Sequence, residues 1–178
     1  QSSIVTDFGS LITATAANSF VVLVAPSVSH LGNINVNGSA ALVAAEAVDF
    51  TYNAGLFSIT ATSGTERTGS VLNLGGAITG PASTGSTDLH RIYAVAIPKN
   101  DAITMSISAG GQLGFDIAGA ADVSGNTIVL SGGHNVVANP TDPISATPFN
   151  ATSADVRIRR GNYTSAVDAR SNTIVEIA

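Results

Sequence analysis

Cysteine and tryptophan are absent from the 178 residues, and methionine occurs once. Without a thiol there is no disulfide framework, no thiol nucleophile and no thiolate zinc site. Charge is scarce as well: Asp, Glu, Lys and Arg make up 11% of the chain, against about 25% in an ordinary soluble domain. Seven basic and twelve acidic residues leave a net charge of −5, so no basic stripe exists to neutralise a nucleic-acid backbone or an anionic lipid surface. The longest apolar runs, such as residues 20–26, fall far short of the roughly 20 residues of a helical membrane span. Nucleic acid and membrane insertion are therefore not expected. No basic segment followed by an apolar stretch opens the chain, which starts at Gln1 and reads as a processed product or a segment of something longer.

What is present is Val, Ile, Leu and Ala diluted by Gly, Ser, Thr and Asn: 44% hydrophobic residues, only 5% aromatic, with a mean hydropathy of +0.34. That combination folds, since disorder needs low hydrophobicity and high charge. The side chains that favour helix surfaces are few, and apolar spacing of three and four is rare. Short β windows remain, at 4–5, 20–25, 34–36, 41–44, 48–52, 56–60, 71–74, 92–97, 103–107, 113–117, 127–130, 135–137, 156–158 and 174–177, each bounded by Gly, Asn, Ser, Asp or Pro. The chain is expected to form a single all-β domain, residues 1–178.

Self-similarity gives these strands an arrangement. Residues 22–25 map onto 42–45 at an offset of 20, Val36, Gly38, Leu42 and Val43 map onto Val123, Gly125, Val129 and Leu130 at 87, and the NTIV of 126–129 recurs at 172–175, an offset of 46. These distances are near one, two and four coils of about 20 to 23 residues, which predicts a right-handed parallel β-helix of short strands, a solenoid. With strands about 4.8 Å apart, such a rod would be on the order of 35 Å long. The alternative with the same strand content is an antiparallel sandwich. The rhythm fails around residues 50–90, where a strand, a turn and a strand at 51–57 suggest a hairpin-like excursion from the rod. Residues 138–154, with Pro140, Pro143 and Pro148, are expected to form an irregular loop, because proline cannot donate to a ladder.

FVVLVAPSV at 20–28, GNINVNG at 32–38 and ALVAAEAV at 41–48 resemble the rhythm of filamentous-haemagglutinin-like exoproteins, and DLHRIYAVAIPKN at 88–100, GAADVSG at 119–125 and LSGGHN at 130–135 resemble its continuation. The resemblance implies a long right-handed β-helix exported by two-partner secretion as a bacterial adhesin. The Asn-Pro-Asn-Leu type of motif that marks the secretion domain of that family is not matched by Asn139, Pro140, Thr141 and Asp142. The chain thus resembles an interior segment of a fibre rather than the part that engages the transporter.

The same residues offer few combinations that could carry chemistry. Neighbouring coils would bring Asp116 and Asp122 together, and glycoside hydrolysis needs two carboxylates about 5 to 9.5 Å apart; without a closely spaced acidic pair the two read as corner residues. Arg91 and Lys99 have only Asp88 and Asp101 as acidic companions nearby in sequence. GGQLGFDI at 110–117 approaches a glycine-aspartate calcium nonapeptide but stands singly, and reads as a tight corner. His30, His90 and His134 lack metal-ligand spacing, and no Gly-x-Ser-x-Gly elbow anchors a hydrolase triad. The sequons at Asn37, Asn150 and Asn162 matter only in a eukaryotic secretory pathway. Alternation puts Arg157 and Arg159, of the basic cluster with Arg160, on one outward face, where Asp155, Asp168 or a partner's acid is in reach. No catalytic, cofactor-binding or metal residue is assigned, and no cofactor.

The expected role is a structural and adhesive segment of a secreted surface fibre or stalk, not an enzyme, located outside the cell or on the bacterial surface. Its expected partners are a continuation of its own chain or another copy, meeting end to end, and a host-surface or carbohydrate receptor. The rival is a carbohydrate-binding or carbohydrate-cleaving β-helix protein, for which Tyr52, Tyr93 and Tyr163 as the only tyrosines supply few stacking platforms.

Overall fold

The computed structural model describes residues 2–83, 89–99, 103–107, 111–115, 126–137, 145–149, 155–158, 162–163, 166–170 and 176–177, and these residues contain strands and no helix. The chain opens with β1 (Ile4–Thr6) and β2 (Leu11–Ala25), and repeats the step with β3 (Val28–His30) and β4 (Asn33–Ala44). A hairpin follows, β5 (Ala47–Asn53) and β6 (Leu56–Ser63). The step resumes with β7 (Gly69–Leu74), β8 (Ala77–Thr79) and β9 (His90–Ala96), and again with β10 (Ile103–Ile107), β11 (Gln112–Leu113) and β12 (Asn126–Gly132). After β13 (His134–Val137) and β14 (Ser145–Pro148) come β15 (Asp155–Ile158), β16 (Asn162–Tyr163), β17 (Ala166–Arg170) and β18 (Glu176–Ile177).

Two sheets are wholly parallel. Sheet I has the order β1-β3-β7-β10-β15-β18, and sheet II the order β16-β11-β8-β4-β9-β12-β17 with β2 on the free side of β4. The chain thus alternates between them, and each pass through sheet I and sheet II lies against the pass before it. The long β4 serves both halves of sheet II, pairing β8 through Asn33–Asn35 and β9 through Ala40–Ala44. Sheet III, of order β14-β13-β6-β5, is antiparallel.

The register differs from the offsets in the sequence. Leu23 lies beside Leu42, and Leu42 beside Ala94 and then Leu130, each one residue away from the matches at 20 and 87. Thr127 pairs with Ala166, so the first NTIV does not pair with the second, whose residues 172–175 lie outside the described residues. A one-residue slip exchanges the two faces of a strand. Here both faces are apolar, so the sequence carries no parity by which to detect the slip.

The antiparallel hairpin ends at Ser63, and parallel pairing resumes at Gly69; residues 69–79 belong to sheets I and II although the expected excursion reached about residue 90. Leu72 and Leu74 take the inward places beside Val28 and His30, which is what draws this stretch back. Of the expected loop at 138–154, Ser145–Pro148 is instead a strand on β13, with Pro148 opposite His134. β14 is at the edge of sheet III, where a missing N–H costs no ladder bond.

The core has two compartments. Between sheets I and II lie Val28, Ile34, Val36, Leu42, Leu72, Leu74, Ile78, Ile92, Met105, Ile107, Ile128 and Leu130, all fully buried. Alternate residues of the same sheet II strands, Ala41, Val43, Tyr93, Val95 and Val129, face the other way and are covered by Leu56, Phe57, Ile59, Ala61 and Val136 of sheet III. Parallel strands buried on both faces read as continuous apolar runs, which explains the unbroken apolar stretch 40–45, fully buried throughout. Between the sheets the chain passes close over its own previous pass: a Cβ on Gly76 would run into the carbonyl oxygen of Gly32, so glycine is required there.

At the first pass the inner compartment is incomplete. Ile4, Ile12, Ala14 and Leu23 are only partly buried, whereas their register partners Val28, Ile34, Val36 and Leu42 are fully buried. Leu42→Ala is expected to cost about 2–5 kcal/mol, and Leu23→Ala less than half as much in the isolated chain, measured by urea unfolding of both variants. Equal losses would show that the first pass is packed as tightly as the second.

Candidate functional site

The polar and aromatic groups that converge do so where sheet III covers sheet II. The β5–β6 hairpin turns through Ala54 and Gly55, both with positive φ, of 50° and 87°, as the two-residue loop between Asn53 and Leu56 requires. Its tip is pinned from below. The Ser39 hydroxyl donates to the Gly55 carbonyl and accepts the Arg91 backbone N–H at 3.0 Å. A Cβ on Gly55 would meet the Leu89 carbonyl oxygen. On the far side, Asn135 Oδ1 accepts the Ala61 N–H at 2.8 Å, holding β13 to β6.

Phe57 is the hub of an aromatic cluster. Its ring lies 5.6 Å from Phe20, 5.8 Å from Phe50, 5.2 Å from Tyr52 and 5.8 Å from Tyr93, mostly edge-on or tilted. These are the separations at which aromatic pairs attract. The cluster runs from the surface inwards: Phe20 is 52% and Tyr52 37% exposed, with rings 5.0 Å apart, while Phe57 and Tyr93 are buried. The Tyr93 hydroxyl accepts the Phe57 N–H at 3.1 Å, and burial raises its pKa above the ordinary tyrosine value, so it stays protonated.

Arg91 stands beside it, 8% exposed, with Nε and Nη1 meeting no acceptor. Its guanidinium reaches the Tyr93 phenol, and among the described residues no carboxylate pairs with it. Lys99 is different: it is exposed, and its Nζ lies 2.8 Å from Glu66 Oε1 and 3.8 Å from Glu46 Oε2. That pair raises the Lys99 pKa and lowers that of Glu66, at a corner where solvent screens it.

The three histidines are held separately. His30 is buried in the inner compartment, Nε2 at 3.0 Å from the Ala77 carbonyl and Nδ1 at 2.6 Å from Thr6 Oγ1. A carbonyl only accepts, so Nε2 carries the proton and Nδ1 accepts from the threonine. One ring therefore links three successive passes. His90 Nδ1 donates to Pro81 O at 2.8 Å, with its ring 5.3 Å from Phe115, and His134 Nδ1 donates to Gly132 O at 2.9 Å. Among the described residues no three metal-capable side chains gather. Asp88, Asp101, Asp116, Asp122, Asn150, Arg159 and Arg160 lie outside the described residues, as do Gly110, Asp116 and Ile117 of the calcium-like stretch. Asn37 donates to Thr15 O at 3.2 Å. The backbone register sets Arg157 beside Ser106 and Glu176.

Sequence reasoning does not single out Ser39 or Phe57. Ser39 is the polar residue that opens an otherwise apolar run, which is a signal of sorts; nothing local marks Phe57. No family model, curated protein or solved structure matches the chain.

Two outcomes follow from these contacts. Burial lowers the His30 pKa, outweighing the opposite pull of the Ala77 carbonyl. The unfolded chain therefore binds more protons than the native one below the ordinary histidine value of about 6.5. Stability present above that pH is lost as pH falls through it towards the lowered native pKa. Urea melts between pH 7.5 and 5 should show this decline, and His30→Gln should flatten it; an unchanged slope would place the titration elsewhere. Tyr93→Phe leaves the buried Phe57 N–H without its acceptor and should cost about 1–3 kcal/mol, read in the same melts.

Proposed function

We propose that the chain is a structural and adhesive segment of a secreted fibre or stalk on a bacterial surface, and that its alternating passes are the coils of a right-handed parallel β-helix like that of filamentous-haemagglutinin-like exoproteins. Its work is mechanical, not catalytic. It extends a rigid rod and joins it end to end, to further chain or to another copy.

One observation carries this reading: the first pass offers an unfinished core beside an open strand edge. β2 pairs only with β4, and β1 only with β3, so both leave one row of N–H and C=O groups unpaired among the described residues. The fifteen residues of β2 include no charge and no proline, two of the usual devices that blunt an edge. The single interruption is an irregularity between Ala14 and Ser19, where Asn18 takes a φ of 57° and Ser19 Oγ donates to Ala14 O at 2.6 Å. Val5, Phe8 and Leu11 on this pass are 56%, 79% and 67% exposed. A parallel strand added there would complete the burial of Ile4, Ile12, Ala14 and Leu23. A heterologous contact of that kind extends into an open filament unless rotation closes it.

Sedimentation and electron microscopy of the purified chain across a concentration series test the proposal. Concentration-dependent rods or filaments are expected, abolished by Val5→Lys with Leu11→Lys, which put charge beside the edge. A chain that stays monomeric at millimolar concentration, or whose assembly ignores the double substitution, contradicts it.

A further inference from the structure

Sheet III has an open edge of its own at β5, which pairs with β6 on one side and with no strand on the other among the described residues. The two-residue loop makes Asn53 and Leu56 a hydrogen-bonded pair, and along an antiparallel ladder such pairs alternate with non-bonded ones. Thr51 and Asp49 therefore exchange bonds with Ser58 and Thr60, while the backbone groups of Val48 and Phe50 point to the open side. The apolar cover is unfinished here too. Val48 and Phe50 of β5, and Val22 and Val24 of β2, pack against the outer compartment but are only partly buried. The Tyr52 hydroxyl, donating to Asn18 O at 2.8 Å, fixes the end of β5 over β2.

Sheet III already takes up strands from a distance, since β13 joins β6 through Val136 and Ile59. At its far edge β14 carries Pro148, and proline withholds an N–H from any further strand. β5 has no proline and one charge, Asp49, which is exposed. Alternation sets Asp49 on the face opposite to Val48 and Phe50, where it leaves the ladder clear and selects by charge. A strand with Lys or Arg opposite Asp49 gains a cross-strand ion pair, whereas an acidic strand, or β5 of a second copy laid antiparallel about its own centre, brings two carboxylates together. We propose that β5 is an acceptor edge for an extended segment of another protein, one that alternates apolar with polar residues and places a basic residue opposite Asp49. The segment runs antiparallel to β5, as throughout sheet III, and its apolar side chains complete the cover of Val22 and Val24. This is recognition by strand addition. The edge belongs to a single hairpin and does not depend on joining at β1 and β2.

The test mixes the isotopically labelled full chain, at physiological ionic strength, with a capped eight-residue peptide alternating valine and threonine with one central lysine, and with its counterpart carrying glutamate in place of that lysine. Hydrogen exchange is followed at single amides by NMR. With the lysine peptide the Val48 and Phe50 amides should exchange about tenfold more slowly or better. Its affinity should exceed that of the glutamate peptide by about threefold, and Asp49→Lys should reverse the preference. Exchange at Val48 and Phe50 that neither peptide slows overturns the acceptor edge, as does protection confined to β1 and β2. Equal affinities for the two peptides in the unaltered chain overturn the basic partner. Slow exchange of both amides without peptide, growing with protein concentration, shows the edge covered by a second copy and also overturns the proposal. Asp49 is exposed, so its replacement leaves the core intact, and the two peptides on the unaltered chain decide without it.

Discussion

Burial on both faces of the half of sheet II where β4 (residues 40–44) meets β9 and β12 is the constraint from which the rest of the molecule follows. A parallel sheet of Val, Leu, Ile and Ala needs a cover on each side. Sheet I supplies one by closing the inner compartment, and it is built from the same repeating passes. The other cover comes from the two places where the chain leaves those passes, the β5–β6 hairpin and the β13–β14 pair, which join into sheet III although about 70 residues separate them. The two departures are therefore one structural element. Without them the strip carrying Ala41, Val43, Tyr93, Val95 and Val129 would be an exposed apolar patch larger than monomeric proteins usually tolerate.

The same constraint explains the distribution of large and small side chains. Where passes stack, small residues meet large ones, Ala40 beside Ile92, Ala41 beside Tyr93 and Ala94 between Leu42 and Leu130, and the alanines let the layers approach closely. Aromatic bulk is gathered instead between sheets II and III, around Phe57, with Phe115 the fully buried ring in the inner compartment. Polar side chains inside the protein act as pins between passes or layers: His30 across three passes, Ser39 between sheet II and the hairpin tip. Arg91 differs in that its guanidinium reaches Tyr93 while its Nε and Nη1 meet no acceptor.

How much of this is legible in the sequence differs from element to element. The all-β class is, because helix-favouring residues are few and every apolar window is short and bounded by turn formers. The hairpin at 47–63 is visible in its turn, although its end is not, since the Val-Leu-x-Leu of residues 71–74 resembles any other strand. Register is illegible where it matters most: a run such as residues 40–45 is apolar at every position, so a shift by one costs nothing in pattern while exchanging the two compartments. The junction with Arg91 depends on contacts between residues 20, 39, 57 and 93, and no local spacing encodes these.

Stacking of successive passes in parallel is the claim on which the account stands, and the absence of cysteine makes a direct measurement simple. Asn35 and Thr79 are exposed or partly so and lie in register across β4 and β8, at a separation typical of adjacent strands, about 4.8 Å, which a disulfide can span. A chain carrying Asn35→Cys and Thr79→Cys should form the intramolecular bond rapidly under mild oxidation, while Asn33→Cys with Thr79→Cys, two residues out of register, should not. Rapid bonding of the second pair, or of neither, would contradict the parallel arrangement.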